Sequence, residues 1–315
     1  MLRLGLDEAA LGPTLGPFCA CMTTFSIPEQ IPPAAVPELY ELLSGSISQV
    51  KNIPGRIAVA DSKVLYSRSS GINALETGVT TFLEAAGFSL PCSLTDLLTA
   101  LSPQSDIDAL KNTPWLTGAE DFSIPWQNSR SLTPTPAAMD KLGIIFRLPS
   151  LRFVPAVAFN RELAARGGKG GGVRAIISPL LKEALSTGSS GEEKRITVDR
   201  QGGRRYYGEW LNELMPGAPL RAREEGPKRS AYTLGNRHIE FLVGADGIRM
   251  ETALASMFAK YIRESAMKLF NSWWVKRVPG IRPTAGYPQD ARRFIADIKA
   301  AKAMPENPDT LIRRL

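Results

Sequence analysis

The sequence is poor in the residues that carry most acyl-transfer and zinc chemistry: it has one histidine, His238, and three cysteines, Cys19, Cys21 and Cys92. A Ser-His-Asp triad or a zinc site of the His or Cys/His kind needs well-placed imidazoles or several thiolates, so the shortage argues strongly against both. The cysteines supply no disulfide framework. Their number is odd, and Cys19 and Cys21 stand two apart, where strand alternation turns both to one face; they read as packed thiols in a reducing compartment. No apolar run reaches the ~18 residues of a membrane span. The opening stretch, Met1 to Leu6, meets an acidic pair before it is long enough for a signal peptide. The expected location is the cytoplasm, with no membrane partner. Acidic residues are outnumbered, 31 Asp and Glu against 38 Lys and Arg, a net charge of +7. Such a balance suits a phosphate-backboned partner and is also common among proteins that bind none.

What is present is a mixed alphabet of 315 residues, 43% hydrophobic and 22% charged, enough for a globular enzyme of one large or two modest domains. With imidazoles and thiolates so scarce, enzymatic chemistry here would run on carboxylates. Leu2 to Leu6 and Phe18 to Phe25 read as an antiparallel pair joined by a stiff loop with Gly12-Pro13 and Gly16-Pro17. Arg56 to Ala60 suggests a short strand ending at Asp61, and Ser67 to Ala86 carries helical spacing. From Phe88 to about Pro149 the pattern weakens into an insertion or small subdomain. Leu151 to Phe159 returns to strand character. Arg161 to Leu185 reads as helix on both sides of an interruption at Gly167 to Gly172. Arg195 to Val198 is a strand ending in Asp199, followed by a glycine turn and a helix from about Arg204 to Met215. Pro219 to Val243 suggests strands with a hairpin at Gly235-Asn236, Met250 to Phe270 a long amphipathic helix with an Ala-rich start, and Gln289 to Lys302 a last basic helix. This order predicts an α/β sheet with helices on its faces.

Three acidic sites fall where such a sheet places functional groups: Asp7-Glu8 after the first strand, Asp199 at the end of another, and Asp246 before the long helix. If the strand ending in Asp199 lies beside the first, Asp7 and Asp199 meet, and the helix after Asp246 brings its carboxylate to them. Carboxylates so close raise one another's pKa and call for cations; Mg²⁺ or Mn²⁺, hard and oxygen-seeking, fits. Each acid alone also has an ordinary role as turn residue or helix cap.

The local strings add to this. Leu4-Gly5-Leu6-Asp7-Glu8-Ala9-Ala10-Leu11-Gly12-Pro13-Thr14-Leu15-Gly16-Pro17 resembles the N-terminal signature of the type 2 ribonucleases H, an Asp-Glu-Ala-Gly-Arg-Gly-Pro stretch closing in Gly-Pro. Asp61-Ser62-Lys63-Val64-Leu65 resembles the family's Asp-Ser-Lys-Lys-Leu. Asn160 is similar to its Asn at that place, and Val198-Asp199 stands where the family carries its third acid. Ala253 to Lys260 resembles its Ala-Ala-Ser-Ile-Leu-Ala-Lys helix, and Gly286-Tyr287-Pro288 its Gly-Tyr motif. The matches keep the family's order from residue 4 to about 300.

The resemblance implies a ribonuclease H-like α/β fold, with a mixed central sheet, helices on both faces, the insertion and a C-terminal helical part. It implies an endoribonuclease that hydrolyses the RNA strand of RNA/DNA hybrids, leaving 3′-hydroxyl and 5′-phosphate ends. Two ions, Mg²⁺ or Mn²⁺, would be held by Asp7, Glu8, Asp199 and Asp246. It further implies that Tyr287 packs near the ribose at an RNA to DNA junction, and that Ser62 and Lys63 lie beside the substrate backbone, with Gly12 of the signature loop. One departure stands out: the family's Gly-Arg-Gly is Ala10-Leu11-Gly12 here, so the arginine fork is missing. The basic loop Arg200-Gln201-Gly202-Gly203-Arg204-Arg205 offers replacement contacts, Arg204 among them. Two alternatives stay open: a hybrid- or junction-binding paralogue with little or no turnover, and a ribonuclease H-fold nuclease for another nucleic acid such as branched DNA.

Other features have plainer readings. Gly167 to Gly172 lacks the Gly-Lys-Ser/Thr ending of a Walker A sequence, so a turn is favoured, with Lys169 able to touch a backbone phosphate. Trp273-Trp274 reads as packing. Arg263, Lys268, Lys276, Arg277, Arg282, Arg292 and Arg293 suggest a duplex-binding face around Tyr287. The expected division is a catalytic domain over 1–275, with the insertion at about 88–149, and a C-terminal substrate-binding loop and helix over 276–315, in a monomer.

Overall fold

The computed structural model describes residues 1–9, 11–28, 37–66, 71–126 and 135–314. Ala10 and the expected helix start at Ser67 lie outside them. Seven strands build the central sheet: β1 (Leu2–Ala9), β2 (Phe18–Ser26), β3 (Ile145–Val154), β4 (Lys194–Asp199), β5 (Leu220–Glu225), β6 (Arg229–Leu234) and β7 (Arg237–Leu242), in the order β3-β2-β1-β4-β7-β6-β5. β1 pairs antiparallel with β2 and β2 with β3, while β4 runs parallel to both β1 and β7. Strands one and four are thus neighbours in a mixed sheet, as the family resemblance implies.

Alternation along the strands decides the two layers. Leu2, Leu4, Leu6, Phe18, Ala20 and Met22 face one core, together with α2 (Ala156–Ala165) and α3 (Lys169–Ser186). Cys19, Cys21 and Phe25 face the other, against α1 (Asn73–Ala85) and the long helix α5 (Met250–Arg277), so the two thiols share one face. Helices therefore cover both faces. Gly5 permits the tightest contact: a Cβ there would lie 2.2 Å from the Glu251 carbonyl carbon and 2.4 Å from the Thr252 nitrogen. Thr23 on β2 adds a hydroxyl donated to the Glu251 carbonyl at 2.7 Å. The start of α5 is thereby fixed on β1 and β2, close to the acids.

Several boundaries differ from expectation. The third strand begins at Ile145, inside the expected insertion, and ends at Val154, where Pro155 starts α2. Pro149 obscured it, but β3 is an edge strand and its register with β2 shifts between Met22 and Thr24, the kind of bulge that tolerates a residue without N–H. The remainder of the insertion holds helices Leu94–Leu101, Gln104–Lys111 and Thr135–Leu142. Only Arg166 to Gly168 interrupt the helices around the glycine run, with Gly167 and Gly168 at φ +68° and +115°, and Gly170 to Gly172 are helical. α4 (Gly208–Leu214) starts later than expected, and α5 runs on to Arg277, across the expected division at 275. The last helix, α6 (Pro288–Ala300), buries Ala291, Phe294 and Ile298 in the same core as α5. The hairpin at Gly235-Asn236 forms as expected, with Gly235 at φ +60°.

Candidate active site

The parallel register of β1 with β4 runs through Leu4 opposite Ile196 and Leu6 opposite Val198. One residue further, Asp7 and Asp199 come side by side on the α5 face; β4 ends there, whereas β1 runs on to Ala9, so that Asp7 and Glu8 lie within the strand and not after it as expected. Asp246 approaches from the 3₁₀ turn Ala245–Gly247 that leads into α5. That turn is tied to the sheet, because the Ala245 N–H donates to Asp199 Oδ1 at 2.8 Å. Alternation sends Glu8 to the other face, where its Oε2 accepts from Gln201 Nε2 at 3.2 Å, and its N–H donates to Asp7 Oδ1 at 2.7 Å.

The electrostatics place these acids in one cluster. Burial, then the charges of Glu8 and Asp199, push the Asp7 carboxyl well above its ordinary range. Burial and the Asp199 charge push Glu8 up to about 7. Asp199 is raised by burial, against backbone donors that favour its charged form. Asp246 is pushed up to about 6 by burial and by the charge of Asp61, then that of Asp199. Such shifts arise where negative charges are held together in a poorly hydrated place, and a cation reverses them.

The donor set, all hard carboxylate oxygens, fits Mg²⁺ or Mn²⁺. Among the described residues no three acidic, histidine or cysteine side chains stand close enough to share one ion as placed. Each acid has turned to a separate partner: Asp7 to the Glu8 N–H, Glu8 to Gln201, Asp199 to the Ala245 N–H and Asp246 to Asp61.

Three contributors were not singled out from the sequence. Asp61 adds a fifth carboxylate; it accepts the Lys63 N–H at 2.8 Å as the cap of the short turn Ser62–Leu65. It stood in the quoted Asp-Ser-Lys string but read as the end of a strand. Ser256 of α5 has its hydroxyl 3.1 Å from that of Ser62 and hydrogen-bonds with Asp7, which joins two of the family-like strings. Gln201 lay within the basic loop after Asp199 but carried no signal of its own.

Of the expected substrate contacts, Ser62 is buried beside the cluster, while Lys63 is exposed with its ammonium 4.0 Å from Asp61. Partial burial opposes the Lys63 charge, but Asp61, Asp246, Asp7 and Asp199 outweigh it and raise its pKa. Gly12 is exposed in the loop after Glu8. The Gly286 carbonyl accepts from Thr14 and Leu15 at 2.8 and 3.1 Å, and this docks the exposed Tyr287 against the β1–β2 loop. Lys169 and Arg204 line one cavity with Leu11.

Other expectations give way. Asn160, to which the sequence assigned no contact, binds the C-terminal segment, donating to Ile312 O at 2.8 Å and accepting from Arg314 N at 2.7 Å. Arg263 leaves the expected duplex face: it is fully buried and bonds Glu264 at 2.9 Å and Ala285 O at 2.8 Å, holding the Tyr287 loop. Arg293 is occupied by Asp290 and Asp297. Lys276, Arg282 and Arg292 remain exposed. The packing reading of Trp274 holds, since it is buried against Phe270 and Trp115, and Arg277 lies 3.6 Å over the Trp273 ring.

No family model matches the chain, and among curated proteins none matches. Among solved structures the chain is similar to ribonucleases H. Ribonuclease HII from Archaeoglobus fulgidus, solved in a complex with PCNA, aligns with a TM-score of 0.44 at 11% identity over 99% of this chain and 94% of that one. Ribonuclease H2 from Pyrococcus horikoshii OT3 aligns at 0.47 and 13% over 99% and 92%. Bst ribonuclease HIII, solved in complex with Mn²⁺, aligns at 0.39 and 12% over 99% and 66%. Among the described residues, no helix is long and apolar enough to cross a membrane.

Proposed function

We propose that this protein is a metal-dependent endonuclease of the ribonuclease H kind, acting on the RNA strand of RNA/DNA hybrids. The observation that carries the reading is the convergence of acids from three elements: Asp7 and Asp199 on adjacent strands, and Asp246 on a turn tied to Asp199 through the Ala245 N–H, with Glu8 beside them and each pushed above its ordinary carboxylate range. Structural acids in pairs are usually matched with cations of the protein, whereas here the cation beside the cluster, Lys63, is mostly exposed. When bound, two divalent ions, Mg²⁺ or Mn²⁺, supply the Lewis acidity and the activated water of an in-line displacement. Asp7, Glu8, Asp199 and Asp246 are the residues to hold them. The chain's own part is orientation: the Ala245 N–H fixes Asp199, Gln201 fixes Glu8, and Lys63 offers its ammonium to a phosphate oxygen. Tyr287, docked on the loop that follows Glu8, is placed to pack on a sugar of the bound strand.

The test is cleavage of two labelled duplexes, an RNA/DNA hybrid and a DNA duplex with one embedded ribonucleotide, with Mg²⁺ or Mn²⁺. Cutting of the hybrid to 3′-hydroxyl and 5′-phosphate ends is expected, lost by roughly 10²-fold or more in Asp7→Asn and in Asp199→Asn if each carries several kcal/mol of transition-state stabilisation. Absence of cutting with retained hybrid binding would overturn the enzyme reading and favour a binding paralogue. With Leu11 in the place of an arginine, the hybrid is expected to be cut better than the single-ribonucleotide duplex.

A further inference from the structure

A cavity of about 340 Å³ opens between the start of α3, at Lys169 and Gly170, and the Gln201 to Arg204 loop. Its lining includes Leu11, Val173, Tyr207 and Trp210 as an apolar wall, with Lys169, Arg174 and Arg204 as cations, and no carboxylate. Arg174 is engaged with Glu213 at 3.1 Å. Neither Lys169 nor Arg204 enters an ion pair among the described residues, although this chain pairs most of its partly buried arginines. Two cations that line one cavity without an acid favour an anion there.

The walls are rigid. Tyr207 stacks on Phe241 at 3.6 Å between ring centroids, and Trp210 donates its indole N–H to Ser178 at 2.9 Å. The loop is pinned from behind by Arg200, which is buried, bonds the Arg204 carbonyl, and donates to Gly226 O at 3.0 Å and Pro227 O at 2.8 Å. Gln201 lines this cavity and also donates to Glu8, so the basic cavity and the acidic cluster share a wall.

We propose that this cavity seats a backbone phosphate of the bound nucleic-acid strand, neighbouring the phosphate that is cleaved, with Lys169 and Arg204 as its ligands. The identity of the strand rests on the nuclease reading; the anion site rests on the cavity. Leu11 contributes no charge, so the cations of α3 and of the loop after Asp199 set the position of the strand. The site is a positioning device: it acts on binding and register, and no bond is made or broken in it.

The experiment compares hybrid binding over a salt series for Asp7→Asn and for Asp7→Asn carrying Lys169→Ala and Arg204→Ala, with kcat and KM measured in the Asp7 protein. Loss of one phosphate contact lowers the slope of log Kd against log salt by about one. KM should rise roughly tenfold, with kcat kept within about twofold, if the contact serves ground and transition states alike. Lys169→Arg with Arg204→Lys should keep the slope, which a merely structural role of these side chains does not predict. An unchanged slope and KM, with the parent protein binding hybrid steeply, overturns the proposal. If the parent binds hybrid without cutting it, the nuclease reading fails and the slope comparison still decides the cavity; if it binds no nucleic acid, both fail. Thermal stabilisation by a nucleoside monophosphate that needs Lys169 and Arg204, with no change in the hybrid slope, would make the cavity a mononucleotide site and also overturn the strand assignment.

Discussion

Asp61 and Asp246 show how a single side chain sets the working range of a neighbour. Asp246 is pushed up to about 6 by burial and then by the charge of Asp61, with which it also shares a hydrogen bond. Asp61→Asn keeps the side-chain oxygen that caps the turn at Ser62–Leu65 and removes the charge. The expected outcome is that the acid limb of the pH–rate profile moves to lower pH, by about half a unit to one unit, because Asp246 then ionises against one fewer negative neighbour. A limb that stays in place, or moves up, counts against Asp61 as a member of the cluster. Removing Gln201 has the opposite sense for Glu8: its hydrogen bond favours the charged form, so Gln201→Ala should raise the pH at which Glu8 ionises. The same profile, measured on that variant, tests it.

At the scale of elements, the site depends on how closely α5 lies on β1, and Gly5 governs that distance. An added Cβ would meet backbone atoms of Glu251 and Thr252 rather than a side chain that can swing away. Gly5→Ala is therefore expected to cost about 3 kcal/mol or more in urea unfolding, as overpacking against an immovable neighbour does. Gly12→Ala, with open space around the new Cβ, should stay within about 0.5 kcal/mol; similar costs for both would refute the argument. Gly286, at φ +82° and with a Cβ position 2.4 Å from Leu15 O, is the corresponding constraint on the Tyr287 loop. The same elements explain what the sequence made legible. β1, β2 and β4 were legible as short, mostly apolar runs because both faces of the sheet are covered there, and the acids in or beside those runs followed from that. β3 was misplaced because Pro149 signals a break in any strand except an edge strand with a bulge. The glycine run was read too broadly as an interruption, since helix propensity at Gly170 to Gly172 yields to close packing: Cβ atoms on Gly171 and Gly172 would meet Arg166 O and Leu163. Gln201 was invisible because its role comes from the fold of a loop, pinned by Arg200, and not from any spacing along the chain.

For the molecule as a whole, the carboxylate cluster makes stability depend on pH and on cations in a definite direction. A carboxyl whose pKa is raised on folding binds a proton more tightly in the native than in the unfolded state, so it favours the native state at low pH and loses that advantage as pH climbs through the native value. Glu8 at about 7 and Asp246 at about 6 place the loss between the unfolded carboxylate range and about pH 7. Glu251, buried in the first turn of α5 and also pushed up to about 7 by that burial, adds a slope of the same sign. Asp290, held at about 2 by Arg293 and by donors from Thr284 and Ala285 despite some burial, is ionised throughout that window and contributes none. In the presence of a chelator, the melting temperature is therefore expected to fall between pH 5 and pH 8. Mn²⁺ binds ionised carboxylates of the native state, so it should restore the melting temperature at pH 8, by on the order of 3 °C or more, and do little at pH 5, where protons occupy the same oxygens. Asp7→Asn with Asp199→Asn should abolish the response to Mn²⁺ and reduce the pH slope, leaving the parts due to the burial of Glu8, Asp246 and Glu251, the last of which Glu251→Gln removes separately. Scanning calorimetry on these proteins decides the matter: a melting temperature that rises from pH 5 to pH 8 under chelation, or a Mn²⁺ effect that survives loss of both aspartates, would mean that these acids are not what binds the cation.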